Sequence, residues 1–107
     1  MPKRNDDGEA ALEFYDKRRR WLDYVNELDG LSDRAFRVGF WVAKKMNGND
    51  QCSWYRHDQI ARALCMSVDK VARALLELET KGVLIIVRQH RQVNRYLIRL
   101  PFEADDP

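Results

Sequence analysis

Apolar residues recur at intervals of three and four up to Leu78, the spacing of helices buried along one side, and after Gly82 they run together or alternate, the spacing of strands. A first long helix is predicted over about Glu9 to Leu28. Its Phe14, Trp21, Val25 and Leu28 share a face, and Asp29-Gly30 supplies a stop. Ser32 is placed to cap a second helix running through Met46, which the Asn47-Gly48-Asn49-Asp50 cluster ends, with a short strand following around Ser53 to Tyr55. The second helix is apolar nearly all round. Ala35, Val38, Val42 and Met46 form one stripe and Phe36, Phe40 and Ala43 another, so it should be covered on two sides, with the first helix as one cover, packed within the subunit or across a dimer.

The segment from Asp58 to Leu100 carries four signals in order. Ile60, Ala61 and Leu64 give a two-turn helix one apolar stripe, too little to stabilise it alone. After a three-residue turn, Ser67 is a good N-cap, its hydroxyl accepting from the backbone N–H of Asp69 or Lys70, and Val68, Val71, Leu75 and Leu78 recur with helical spacing. Gly82 sits where a left-handed residue ends this helix, and Val83 follows, positioned to touch Leu78. The helix is thus bounded near Val68 and Lys81. Beyond it, Val83 to Val87 is an unbroken apolar run, and in Val93 to Leu100 the residues Asn94, Tyr96, Ile98 and Leu100 alternate with Val93, Arg95, Leu97 and Arg99. The two runs make a hairpin with His90, Arg91 and Gln92 at its tip. Without an Asn-Gly or Asp-Gly pair, a loop of three to five residues is expected. The predicted fold is mainly α with a small β-hairpin, a winged helix-turn-helix over residues 31–102 with an extra N-terminal helix. Residues 1–30 form a tail and the long helix, for packing or dimerisation, and residues 103–107 an acidic tail. Residues 1–8 and 103–107, polar and charged, read as disordered.

In such a shape the second motif helix, 68–81, fits the DNA major groove, and the hairpin 84–100 lies along the flanking backbone as a wing. Lys70 and Arg73 project from the same side of its N-terminal half. Arginine can address guanine O6 and N7 with two N–H groups, so Arg73 is the candidate for a specific base contact, whereas Lys70 serves a base or a phosphate. Asp69 suits the helix dipole and could accept from a cytosine amino group. An ordinary solvated helix face is the bland alternative for all three. Ser67, Gln92 and Asn94 complete the polar set, and Arg88, Arg91, Arg95 and Arg99 make the hairpin cationic, with Arg91 at the tip able to enter a minor groove. A basic hairpin is also a common way of protecting an edge strand.

From about Leu31 to Pro101 the chain resembles the winged helix-turn-helix domains of bacterial, phage and plasmid regulators and replication initiators. The pieces that carry the likeness are LSDRAF, SWYRHDQIARAL, SVDKVARALLELETKG and NRYLIRLP. The resemblance implies that Arg56 and His57, ahead of the first motif helix, approach the DNA backbone. Cys65 departs from the pattern, since glycine is frequent at that turn because a left-handed conformation is cheaper without a Cβ.

Charge sharpens the picture. The net charge of the 107 residues is only +2, but residues 31–99 hold 13 Lys or Arg against 6 Asp or Glu, while residues 1–30 hold 6 against 8 and residues 100–107 none against 3. The basic charge belongs to the motif, which favours a polyanion partner, and the acidic ends limit non-specific binding. Lys17-Arg18-Arg19-Arg20 occupies all sides of a helix and reads as a solvated face. Cys52 and Cys65 read as packing thiols. With His57 and His90 they have no zinc-ligand spacing, and both histidines read as surface-loop residues. No phosphate loop, nucleophile elbow or acid-base dyad occurs, so neither catalysis nor a cofactor is expected. Absence of a membrane-length apolar run or secretory segment leads us to expect a cytoplasmic protein.

These readings leave three functions open. One is a small transcriptional regulator binding double-stranded DNA, as a homodimer on two half-sites. Another is a plasmid or phage replication or partition factor that binds origin repeats and recruits other replication or transcription proteins through its first helix. The third is a winged-helix protein-interaction module.

Overall fold

A computed structural model describes residues 2–103, in which four helices and three short strands follow one another as α1 (Pro2–Asn26), α2 (Asp33–Lys44), β1 (Ser53–Trp54), α3 (His57–Leu64), α4 (Val68–Thr80), β2 (Leu84–Val87) and β3 (Arg95–Ile98). The expected acidic tail lies outside the described residues beyond Glu103, as does Met1. Helix α1 begins at Pro2, ahead of the expected start near Glu9, and takes in residues 2–8. There the backbone is already helical, and a proline at the head of a helix removes only an N–H that has no intrahelical partner.

Local chemistry sets the helix ends where side chains can satisfy the free backbone groups. The Ser32 hydroxyl accepts from the Ala35 N–H to start α2, and the Ser67 hydroxyl accepts from the Lys70 N–H, 3.2 Å away, to start α4. At the other end of α4, Gly82 adopts φ +77°, its N–H donates to Glu79 O, and the Val83 N–H donates to Leu78 O, so two of the last carbonyls of the helix are satisfied. Gln59 closes the start of α3 by accepting from the Arg56 N–H at 2.8 Å.

Helices α2, α3 and α4 enclose one core with the inner side of the sheet. Ile60, Val71, Leu75 and Leu78 are fully or almost fully buried, as are Val38 and Val42 of α2 and Tyr96, Ile98 and Leu100 of the β3 segment. Gly39 lets α2 approach its neighbours closely, since a Cβ there would lie 3.1 Å from a Leu78 methyl and 3.2 Å from the Trp21 ring. Phe14, Trp21 and Val25 place α1 in the same core, and the Trp21 indole N–H donates to Val83 O at 2.8 Å. Thus α1 packs within its own chain. The two-sided cover expected for α2 is only half realised: α1, α4 and the sheet bury Val38, Val42 and Ala43, while Phe40 stays 44 % exposed with the Lys44 ammonium over its ring.

The sheet is antiparallel in the order β1-β3-β2. Ser53 pairs with Tyr96, and Ile86 pairs with Tyr96 from the other side, so Ser53 and Ile86 flank that ring on the inner face. The expected hairpin therefore gains a third strand from the segment around Ser53. Its loop is longer than the expected three to five residues, because no tight-turn pair draws the strands together and pairing stops at Val87 and Arg95. The tip is nonetheless where the sequence placed it: Gln92 N–H donates to Gln89 O, with Arg91 at φ +59°.

The turn between α3 and α4 spans Cys65, Met66 and Ser67. Cys65 is left-handed, φ 56° and ψ 46°, and exposed, so it is a strained turn residue and not a packing thiol, whereas Cys52 is buried. A Cβ costs about 1–2 kcal/mol in this conformation. Cys65→Gly is therefore expected to stabilise the fold by up to about 1 kcal/mol once the extra freedom of an unfolded glycine is discounted, read as a higher urea midpoint at unchanged m-value.

Candidate nucleic-acid interface

Two elements present cations to solvent side by side. The apolar stripe of α4 turns Val71, Ala74, Leu75 and Leu78 inward, which by helical geometry turns Asp69, Lys70 and Arg73 outward, and all three are exposed. Arg73 Nε lies 3.1 Å from Asp69 Oδ2, one turn back on the same helix. At exposures of 75 % and 69 % the pair is solvent-screened and weak, so it orients Arg73 without immobilising it. The Ser67 hydroxyl, having accepted from the backbone, keeps its own proton at the N-terminal end of α4, where helix dipole and free N–H groups favour an anion.

The hairpin supplies the second cationic element. Arg91 and Gln92 are exposed at its tip. Arg88, expected from the sequence among the DNA-binding cations of the hairpin, is already engaged within the chain. Both of its terminal nitrogens donate to Glu79 near the C-terminal end of α4, at 2.8 and 2.9 Å. The Arg88 guanidinium holds the Glu79 carboxyl below its ordinary range. That pair is therefore intact at neutral pH and is lost only as the pH falls through the depressed carboxylate value. Arg95 is half-buried beside Trp54 and Val87, with an Nε that has no partner among the described residues.

Between α3, α4 and the hairpin lies a notch of about 220 Å³. Its apolar wall includes Ala72, Leu76 and Ile86, and its polar rim is His57, Arg88 and Asn94. His57 is the first residue of α3 and not a loop residue. Arg56, just before it, is exposed, and its Nε lies 3.0 Å from Asp58 Oδ1, which lowers the Asp58 carboxyl. Of the residues expected at the interface, the structure thus brings His57, Arg88 and Asn94 together around the notch and leaves Ser67, Asp69, Lys70, Arg73, Arg91 and Gln92 exposed on helix and tip. Arg95 is set back in the sheet.

Sequence reasoning missed the carboxylates. Glu79 engages Arg88, and Glu77 accepts from both the Ser32 N–H and hydroxyl at 2.7 and 2.8 Å, tying α4 to the start of α2. Their places on the less apolar side of α4 gave no sign of partners far away in sequence. The Lys17–Arg20 run is not simply solvated either. Arg18 donates to Met46 O at 2.8 Å and stacks on Tyr15, Arg19 meets Asp16, and Arg20 bridges Asp16 and Glu103.

Residues 29–84 match the sequence model of a family described as a helix-turn-helix domain, more than half of the 107 residues. The match begins just after α1 and ends at the start of β2. No curated protein matches the chain. No described helix is long and apolar enough to cross a membrane.

Proposed function

The chain belongs to the helix-turn-helix domain family, and from that premise we propose that it is a sequence-specific double-stranded DNA-binding protein, a small transcriptional regulator that acts by binding and not by catalysis. Helix α4 enters the major groove with Lys70 and Arg73 leading, and the tip at Arg91 and Gln92 lies along the flanking backbone as a wing. One observation carries the reading: the outward side of the N-terminal half of α4 is cationic and uncovered, and the adjoining hairpin ends in an exposed arginine. A homodimer reading two half-sites about one helical turn apart fits a single short recognition helix, which reaches only a few base pairs by itself.

Selection of bound fragments from genomic DNA tests this. The expected result is an inverted repeat. An array of direct repeats would instead favour a replication or partition factor, and no enrichment, with salt-insensitive behaviour toward duplexes, would favour a protein-interaction module.

A further inference from the structure

The notch between α4 and the hairpin holds more polar chemistry than an interhelical gap requires. His57 comes from α3, Arg88 and Asn94 from the two arms of the hairpin, and Ala72 and Leu76 give them an apolar wall. Beneath it lies Tyr96, 1 % exposed, whose hydroxyl has no hydrogen-bond partner among the described residues. The ring is placed there by pairing: Ile86 is its cross-strand neighbour, Asn94 precedes it by two residues on the same side of the strand, and both line the notch. Burial pushes the Tyr96 hydroxyl up in pKa, so it is a neutral donor. The Asn94 amide lies close enough to oppose that rise without reaching hydrogen-bond geometry. A small closing movement would let one Asn94 N–H donate to the Tyr96 oxygen, which fixes the amide and leaves its second N–H for the notch.

Three donor-bearing side chains around one opening, one of them a guanidinium, match an oxyanion, and the apolar wall matches the sugar beside it. A carboxylate already shows the geometry, since Glu79 takes both Arg88 nitrogens in the fork arrangement that a phosphate uses. We propose that the notch seats one backbone phosphodiester of the bound duplex, held by His57, Asn94 and Arg88, and that Glu79 is a resident competitor which Arg88 leaves when the phosphate arrives. This rests on the DNA-binding reading and extends it. Glu79 then lowers affinity for all duplexes alike, and Tyr96 acts as a positioning residue through Asn94.

The test titrates the full chain with a mixed-sequence duplex of about two helical turns, over a range of salt, by fluorescence anisotropy. Glu79→Gln tightens binding about two- to fivefold, the range for releasing one partly exposed ion pair. Adding Arg88→Ala to that variant reduces the slope of log K against log salt by about 0.9, one phosphate contact. Tyr96→Phe, which keeps the buried ring, weakens binding about twofold when Asn94 is present and has no effect in Asn94→Ala. If Glu79 is only a strut for the hairpin, Glu79→Gln weakens binding and the Arg88 change leaves the slope untouched, which overturns the seat. A wild-type chain that binds no duplex even at low salt overturns the DNA reading itself.

Discussion

Trp21→Ala is expected to destabilise the protein by about 3–5 kcal/mol, the range for removing a large aromatic side chain from a closed core. Trp21 is 0 % exposed and lies where α1 crosses α2 at Gly39, so neither backbone can close the cavity without breaking the close approach that the glycine permits. Its indole N–H bond is lost too, although Val83 O keeps the Arg99 N–H as a donor and is not left bare. Against a typical total of about 5–15 kcal/mol, the loss removes roughly a fifth or more of the stability. Urea unfolding followed by far-ultraviolet circular dichroism measures it. Trp54→Ala is the control, because Trp54 is half exposed on the outer side of β1 and should shift the midpoint far less. Equal, small effects for the two would mean that α1 is an appendage that other surfaces can replace. The same burial means that removing residues 1–28 would strip the core of Phe14, Trp21 and Val25 before it reported anything about oligomers.

The sequence disclosed what repeats or caps, and concealed what depends on the chain meeting itself. Ser32, Ser67 and Gly82 end helices through groups a few residues away, so their spacing announced them. The stripe Val71, Leu75 and Leu78 and the alternation Tyr96, Ile98 and Leu100 gave the buried sides correctly, since burial on one face enforces the period. Phe40 misled because an aromatic on a helix reads as core whether or not a neighbour arrives to cover it. The union of β1 with β3 and the reach of Glu79 to Arg88 join residues 41 and 9 positions apart at their nearest, across loops whose geometry no local pattern encodes. At the candidate interface the cations were legible as a composition bias, but which of them are already engaged was not. Arg88 and Arg91 look alike in sequence, yet one is forked onto a carboxylate and the other stands at the exposed tip.

Arg73→Ala is expected to cost about 1–3 kcal/mol in binding to the selected target and to relax preference at one base pair, leaving affinity for unrelated duplexes nearly unchanged. The side chain is 75 % exposed and its ion pair with Asp69 is weak, so fold stability should move little, and a loss of binding reports on contact with DNA. Asp69 sharpens the experiment. It lies within 3.1 Å of Arg73 in the free protein, so Asp69→Asn frees the guanidinium while removing a negative charge that would otherwise face phosphate. Asp69→Asn should therefore tighten binding to every duplex, whereas Arg73→Ala weakens binding to the target alone. Anisotropy titrations against the selected duplex and its single-base-pair variants separate the two patterns. If Arg73→Ala instead weakens all sequences by the same factor, Arg73 is holding a phosphate, and the base-reading role passes to Lys70, the other exposed cation on the same half of α4.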